Sequence, residues 1–347
     1  MTQKKGGQMD KKMPNVSIIT TNWNRCQYIE RVWRSIESQT HRNIEWIVCD
    51  DGSSDGSVNV IEKIILQATI PVVFIKSSVR VGKAVLDNAA IKIARSSMIL
   101  WNDSDDFLLP DAIKEVFSAW ESRPKVHSEN YIGVIAFATV GKKIITTSSD
   151  ISSEIHDTWD NIRNIRNING DGILLLRRDK LLKNLFPEVD FVIPESVVWC
   201  HFSTMISIVV PKPLQVREYN STENSISYSG KMQYNRGNAH ALCITESELI
   251  LRKRTHIKHL GRRLKAYVNF IRYSIHGEMN LIDIYKMTVL MKFNIFYVIL
   301  IPVSILLSIK DILQKKVLYT HREFEHSKYK SEIKISRNFS IINQNSS

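Results

Sequence analysis

The sequence predicts an α/β protein with a largely parallel central sheet, helices on both of its faces, and a basic and apolar helical appendage at the C-terminus. From residue 15 to about residue 140, short apolar strand-like runs alternate with amphipathic helical segments. Such alternation is typical of parallel sheets, because each crossover helix covers a face of the sheet. The net charge of +12 lies in the last 97 residues, where 18 Lys and Arg outnumber 6 Asp and Glu.

The elements follow one another in a regular order. The first helix is recognised by apolar residues at spacings of three and four, and the fourth begins near a proline, which a helix tolerates in its first turn. The predicted strands are 16–19, 44–49, 71–75, 97–101 and 131–140. The predicted helices are 28–36, 58–65, 84–94 and the segment after Pro110.

The domain organisation follows from composition. With 347 residues and 44% hydrophobic content, the chain can build a substantial core. We expect a disordered lead-in at 1–14, since this segment is polar and lacks the apolar stretch of a signal peptide. The main domain is expected at 15–245, a helical membrane-associating region at 246–310 and a polar tail at 311–347. The four widely spaced cysteines favour a reducing cytoplasm.

The C-terminal region contains an apolar run that allows two interpretations. Residues 293–309 are uncharged, bracketed by Lys292 and Lys310 and interrupted by Pro302. A bilayer span needs roughly 20 apolar residues, so the run is at the lower limit. It is either a buried helix or, together with the basic segment 251–276, an anchor at an anionic membrane surface. Nucleic acid is the other anionic partner that a basic tail suits, but no nucleic-acid motif is present.

Two acidic clusters follow predicted strands, where ligands bind in such sheets. They are DDGSSDGS at 50–57 and DSDD at 103–106. Asp103 and Asp105 stand two apart in an irregular turn and can both approach one divalent cation. Hard oxygen ligands favour Mg²⁺ or Mn²⁺, which bind through one or two carboxylates together with substrate phosphates. The alternative for the second cluster is a helix cap with Asx turns.

The first cluster also approaches the spacing of a calcium-binding EF-hand loop, from Asp51 to Glu62. Such a loop requires a preceding helix. The preceding segment IEWIVC is instead rich in Ile, Val and Trp and has no helical periodicity. We therefore reject the calcium interpretation.

These motifs, in this order, resemble inverting glycosyltransferase family two. The resemblance rests on SIITTNWNR at 17–25, SIESQTHRNIEWIVCDDGSSDGS at 35–57 and VGKAVLDNAAIKIARSSMILWNDSDDFLLP at 81–110. It is strong over about 15–120, weakens between about 140 and 230, and is absent after about 250. The resemblance implies the GT-A nucleotide-diphospho-sugar transferase fold and a Mg²⁺ or Mn²⁺ cofactor.

Site residues are implied position by position. Asp105 is the principal metal ligand and Asp103 contacts the ribose or the metal, while Arg25 and Lys83 reach the base or the phosphates. Thr21 and Asp50 line the base pocket, and Asn22 is a further nucleotide-binding residue. The implied nucleotide site is therefore Thr21, Asn22, Arg25, Asp50, Lys83 and Asp103.

An inverting transfer needs a base that takes the proton of the acceptor hydroxyl. In the family this base is a carboxylate downstream of the metal motif, often in an E-D pair that this chain lacks. The stretch FPEVDFVIPESVVW at 186–199 resembles a branch of the family with P-E-x-x-x-W at this place. Glu195 is therefore the candidate base and Asp190 the reserve.

Three further residues are candidates for contact with donor or acceptor sugar, namely Trp199, Asp171 and Asp106. For Trp199 a place in the buried core is equally compatible with the sequence.

The predicted function is metal-dependent, inverting transfer of a hexose or N-acetylhexosamine from a nucleotide diphosphate sugar, most often UDP-linked. The acceptor is a saccharide or lipid-linked saccharide in surface polysaccharide synthesis. The enzyme is expected at the cytoplasmic face of the cell membrane, peripheral or monotopic, without a nucleic-acid partner. The alternatives are transfer onto polyprenyl phosphate, and a non-catalytic nucleotide-binding module whose basic tail binds nucleic acid.

Overall fold

The computed structural model describes most of the main domain and parts of the C-terminal region. The described residues are 13–141, 143–145, 151–166, 168, 172–188, 195–218, 234–235, 239, 242–244, 246–247, 260–279, 282, 284, 295–314, 317–318 and 333–337.

Within these residues, strands and helices alternate from the start. The strands are β1 Val16–Asn22, β2 Ile44–Asp51, β3 Val72–Ser77, β4 Met98–Trp101, β5 Phe107–Leu108, β6 Tyr131–Val140, β7 Lys143–Ile144, β8 Ile155–Thr158, β9 Gly172–Arg177, β10 Ile206–Val216, β11 Tyr234–Asn235, β12 Val317–Leu318 and β13 Ile333–Arg337. The helices are α1 Cys26–Glu37, α2 Ser57–Gln67, α3 Lys83–Ile93, α4 Ala112–Ser122, α5 Trp159–Asn164, α6 Arg178–Leu181, α7 Ser196–Trp199, α8 Leu260–His276 and α9 Ile295–Leu313.

The first half of the main sheet is parallel, in the order β3-β2-β1-β4. Its strands are continuous apolar runs because both of their faces are covered. Trp46 and Val48 of β2 belong to the same core as the inner faces of α1, α2 and α4. Ile47 and Cys49 point to the other face and share a core with α3. The predicted sheet with helices on both faces is confirmed.

The second half of the sheet is mixed. Strand β9 runs antiparallel between β4 and β6, and β10 then pairs parallel with β6. The strands β6 and β9 approach closely at two glycines. A Cβ atom on Gly133 would lie 1.9 Å from the Leu175 carbonyl oxygen, and one on Gly172 would lie 2.1 Å from that of Ala136. The apolar run of β9 gives no indication of this direction, which is set by its neighbours.

The C-terminal helices α8 and α9 pack on each other and have a core of their own, centred on Tyr267, Phe270 and Cys243. Helix α9 continues past residue 310, where a polar tail was expected, because Asp311 is buried rather than solvated. Strand β13, inside that expected tail, pairs antiparallel with β3 at the edge of the main sheet. The predicted domain boundaries themselves stay predictions. Among the described helices, none has both the length and the apolar character needed to cross a membrane.

Candidate active site

The site lies at the edge of the sheet where β1, β2 and β4 end. The register of β1 and β2 places Asn22 beside Asp50. Asp50 is fully buried, and its carboxylate accepts hydrogen bonds from the Asn22 amide at 2.8 Å and from the Ser53 backbone N–H at 2.9 Å and hydroxyl at 2.6 Å. The predicted nucleotide-binding residues Asn22 and Asp50 therefore form one network with the turn that follows β2.

Asp51, the next residue, has a different role. Its carboxylate accepts hydrogen bonds from the backbone N–H groups of Val81 at 2.6 Å and Gly82 at 3.0 Å, just before α3 begins. Burial raises the pKa of Asp51 to about 6, although these hydrogen bonds lower it. Asp51 thus joins the β2 turn to the start of α3, a role that sequence reasoning missed because its partners lie some thirty residues away.

Lys83, at the start of α3, connects two carboxylates. Its ammonium group donates to Asp87 at 2.7 Å and to Glu195 at 2.9 Å, and the Thr21 hydroxyl donates to the other Asp87 oxygen at 2.6 Å. Burial would lower the pKa of Lys83, but the charges of Asp87, Glu195 and Asp103 raise it well above its ordinary value. Lys83 therefore stays charged, and Thr21 is bonded to the network through Asp87. The spacing of Lys83 and Asp87 by four residues on one helix was a usable sequence signal.

Glu195 precedes the short helix α7 and lies at the same edge of the sheet. Burial raises the pKa of its carboxyl group, as do the negative charges of Asp103 and Asp87, while Lys83 opposes the rise. A carboxyl group with a raised pKa is a better proton acceptor than an ordinary glutamate, which suits a general base.

The DSDD turn after β4 concentrates negative charge. Burial and the charge of Asp103 raise the pKa of Asp105, although Arg25 lies 3.8 Å from the Asp105 carboxylate. Burial also raises the pKa of Asp106 to about 8, against the effect of Arg217, whose guanidinium lies 3.4 Å away. The same arginine lies 3.6 Å from Asp103. Arg217 follows β10, and no local pattern in the sequence indicates its part in this cluster.

The three aspartates differ in access to solvent. The side chains of Asp103 and Asp105 are 39% and 24% exposed, whereas that of Asp106 is 5% exposed and also accepts a hydrogen bond from the Glu218 backbone N–H. Within the part of the chain that the structure describes, no group of three or more His, Cys, Asp or Glu side chains is arranged to hold a metal. A pair of carboxylates with partly uncompensated charge fits Mg²⁺ or Mn²⁺ completed by phosphates.

A cleft of about 250 Å³ opens beside this turn, and Asp103, Glu195 and Arg217 all line it. Trp101 forms part of its wall, and the indole N–H of Trp101 is buried without a hydrogen-bond partner among the described residues. Trp199 also lines the cleft.

Trp199 is 7% exposed, and its ring lies edge-on to Trp101 at 5.3 Å and to Phe186 at 5.8 Å. It therefore belongs to the core and to the cleft wall at once. Arg163 lines the cleft as well, and sequence reasoning missed it. Asp171 and Asp190, predicted for sugar contact and as the reserve base, lie outside the described residues.

Comparison with solved structures identifies the fold. The structure is similar to that of TarS from S. aureus in complex with UDP, with a TM-score of 0.57 at 17% identity, over 87% of this chain and 89% of that chain. A TarS complex with UDP-GlcNAc gives a TM-score of 0.56 at 16% identity, over 80% of this chain and 79% of that chain. The mixed sheet with its helices is the GT-A fold predicted from the resemblance.

The family follows from the sequence. Residues 17–139 match the family model described as glycosyl transferase family 2, and this part of the chain is a family 2 glycosyltransferase domain. The chain is 39% identical over 103 residues to a chondroitin synthase of Pasteurella multocida, which is 30% of this chain and 10% of that protein. It is 39% identical over 95 residues, or 27% of this chain and 37% of the relative, to the Escherichia coli glucosyltransferase WfaP. The matched region thus spans only a minor part of either relative.

Proposed function

We propose that the protein transfers a sugar, with inversion, from a nucleotide diphosphate sugar to a saccharide or lipid-linked saccharide in surface polysaccharide synthesis. The observation that carries this proposal is that Asp103 and Glu195 line one cleft. A displacement at the anomeric carbon requires a group that binds the metal and nucleotide and a base in one site, and we assign these roles to Asp103 and Glu195.

The names of relatives support the donor and the acceptor. TarS has been crystallised with UDP and with UDP-GlcNAc. WfaP is a UDP-Glc:alpha-D-GlcNAc-diphosphoundecaprenol beta-1,3-glucosyltransferase, which has a UDP-hexose donor and a lipid-linked acceptor. We therefore favour a UDP-linked hexose or N-acetylhexosamine as donor and a lipid-linked saccharide as acceptor. A lipid-linked acceptor is also consistent with the predicted location at the inner face of the cell membrane.

We propose Asp105, with Asp103, as the ligands of Mg²⁺ or Mn²⁺. When bound, the cation would neutralise charge on the departing diphosphate. Asp106 is instead paired with Arg217 and accepts a hydrogen bond from the Glu218 backbone N–H, and these contacts hold the turn in place. Arg25, 3.8 Å from Asp105, is close enough to reach the same phosphates.

The remaining steps use residues of the chain alone. The buried Asp50 carboxylate is fixed by Asn22 and Ser53, so it is preorganised for the nucleotide base. Glu195 takes the proton of the acceptor hydroxyl as the new glycosidic bond forms. Lys83 holds Glu195 in place and favours its ionised form before the transfer.

The test is a screen of nucleotide sugars for hydrolysis or transfer, with and without EDTA. We expect one donor to be turned over only with Mg²⁺ or Mn²⁺, and Asp105→Ala to lose at least about a hundredfold in kcat/KM without loss of folding. Asp179→Ala, which removes a surface carboxylate paired with Arg177, is the matched control. Full activity of the Asp105 variant would overturn the metal assignment, and no turnover of any nucleotide sugar would overturn the proposed function.

One observation favours a second candidate, transfer onto polyprenyl phosphate. Glu195 is already paired with Lys83 at 2.9 Å, and this pairing weakens it as a base. An acceptor phosphate is already ionised and needs no strong base. If polyprenyl phosphate is the acceptor, Glu195→Gln should retain activity within a few-fold of the wild type. If a saccharide is the acceptor, the same variant should lose about a hundredfold or more in activity.

A further inference from the structure

The polarity of helix α9 is reversed relative to a helix of a water-soluble domain. Its buried face carries Ser304, Ser308 and Asp311, which are 0%, 3% and 2% exposed. Its outward face carries large apolar side chains, among them Ile299 at 59%, Leu306 at 66% and Leu313 at 78% exposure. A helix normally buries its apolar stripe and exposes its polar residues. The outward face of α9 is therefore suited to apolar surroundings.

The rotation of α9 about its axis is fixed by contacts with α8. The Asp311 carboxylate accepts hydrogen bonds from Arg272 at 2.5 and 2.6 Å and is 3.0 Å from the His276 ring. The two serines donate to carbonyl groups of their own helix, Ser304 to Leu300 and Ser308 to Ser304, both at 2.9 Å. The inward polar groups are thus satisfied, and turning the helix to bury its apolar face would break the ion pairs.

The outward face is a continuous strip. At 100° per residue, the large exposed residues from Ile299 to Leu313 fall within about half of the helix circumference. Val303, Ile309 and Ile312 lie on the same strip and are 45%, 47% and 44% exposed. Lys310 is exposed on this strip too, so a cationic group stands among the apolar side chains. A helix with one apolar face and cationic groups suits the plane of a lipid headgroup layer.

Charge favours an anionic lipid surface over a second copy of the chain as the binding partner of this face. Residues 251–347 carry 18 Lys and Arg against 6 Asp and Glu. Two copies of the chain meeting at α9 would bring two strongly basic segments together, which electrostatic repulsion opposes. An anionic lipid surface attracts the same segment.

We propose that the outward face of α9 is a membrane-binding surface that lies in the headgroup region of an anionic bilayer. Binding through this face would hold the active site near the membrane. This surface is separate from the cleft, so its test does not depend on the donor sugar or on catalysis.

The experiment is flotation of the full chain with vesicles of phosphatidylcholine containing phosphatidylglycerol, against vesicles of phosphatidylcholine alone. We expect binding to the anionic vesicles that weakens as salt is raised. The Leu306→Ser and Ile309→Ser double variant should bind about a hundredfold more weakly, since each side chain contributes about tenfold. Leu66 of α2 is 79% exposed and lies outside the proposed surface. Leu66→Ser is therefore the matched control and should bind vesicles as the wild type does.

Thermal melting of each variant checks that folding is retained, and nucleotide-sugar hydrolysis in lipid-free buffer should be unchanged. Failure of the wild type to float with either vesicle, or equal flotation of the double variant, would overturn the proposal. Concentration-dependent dimerisation in analytical ultracentrifugation that the double variant abolishes, without vesicle binding, would assign the face to a second copy of the chain instead.

Discussion

At the scale of single residues, the site depends on a small number of charges whose partners come from distant parts of the chain. Lys83 is the central example, because it lies within hydrogen-bond distance of both Asp87 and Glu195. Its ammonium group opposes the effect of burial on Glu195 and so influences how readily the candidate base ionises. The state of Glu195 is therefore a property of the network rather than of one side chain.

Replacing Lys83 tests this network. Lys83→Met should raise the pKa of Glu195 further, because burial and the charges of Asp103 and Asp87 are then unopposed. We expect the acidic limb of the pH profile of kcat/KM to move to higher pH, and activity at neutral pH to fall by about tenfold or more. Lys92→Met, an exposed lysine of the same helix, is the control. An equal loss of activity at every pH would show that Lys83 binds substrate and does not influence the base.

Asp51 gives a prediction about stability. Its pKa is about 6 in the folded protein and about 4 in an unfolded chain. A raised folded-state pKa means that the stabilising contribution is complete below about pH 4 and is lost as pH rises through about 6. The Asp51→Asn variant does not undergo this loss. The difference in unfolding free energy, variant minus wild type, should therefore increase by about 2 to 3 kcal/mol from pH 4 to pH 7.

Urea unfolding of both proteins across that pH range measures the difference. The contributions of the other carboxylates are the same in both proteins and therefore cancel. The absolute value includes the cost of a buried amide N–H group facing the Val81 and Gly82 N–H groups, so the trend with pH is the test. A difference that does not vary with pH would contradict the assigned protonation of Asp51.

At the scale of elements, local periodicity was sufficient to predict β1 to β4 and α1 to α4. Their apolar patterns are short-range signals, and their parallel order follows from the alternation of strand and helix. The antiparallel insertion of β9 and the pairing of β13 with β3 depend on long-range contacts that no local pattern contains. The same division holds for the site. Asp50 and Asp103 are in recognisable motifs, and the spacing of Asp87 from Lys83 was a local signal, while Arg163 and Arg217 enter through the tertiary fold.

The turn between β2 and α2 offers a matched pair of glycines. Gly52 has φ of +66°, and a Cβ atom there would lie 2.6 Å from the Val79 carbonyl carbon. Gly56 has φ of +93°, with no atom within 4 Å of such a Cβ. Gly56→Ala should therefore cost only conformational strain, about 1 to 2 kcal/mol. Gly52→Ala adds a backbone clash and should cost about 3 kcal/mol or more.

Chemical unfolding of the two alanine variants provides the comparison. Gly52→Ala should also weaken stabilisation by UDP in thermal melts, because the displaced turn carries Ser53, which fixes the Asp50 carboxylate. Equal costs for the two substitutions would mean that the loop around Val79 moves freely away from the turn.

At the scale of the whole molecule, charge and packing both distinguish the C-terminal helices from the main domain. Residues 1–250 carry 29 basic and 29 acidic residues, whereas the remainder carries the whole excess of +12. The helices α8 and α9 have a core separate from the cores of the main sheet. The uneven distribution of charge is visible in the sequence. The exposure of the apolar face of α9 is not, because it depends on the pairing of Asp311 with Arg272 and His276 of α8.

Removing that pairing tests whether the C-terminal helices unfold separately. Asp311→Ala takes away the carboxylate between Arg272 and His276 and should destabilise the α8–α9 pair by about 3 to 5 kcal/mol. Burial would raise the pKa of Asp311, but its hydrogen bonds from Arg272 and His276 lower it. Its contribution is therefore present above the unfolded-state pKa of about 4 and is lost as pH falls through the folded value.

Hydrogen exchange at neutral pH is the measurement for this variant. Amides of α8 and α9 should exchange faster, while those of β1 to β4 keep their protection, since the main sheet retains its own cores. Lys310→Ala, the neighbouring exposed residue of α9, should leave both regions unchanged. Loss of protection throughout the main sheet would contradict this independence. It would show that β13, paired with β3, couples the C-terminal segment to the site in one cooperative unit.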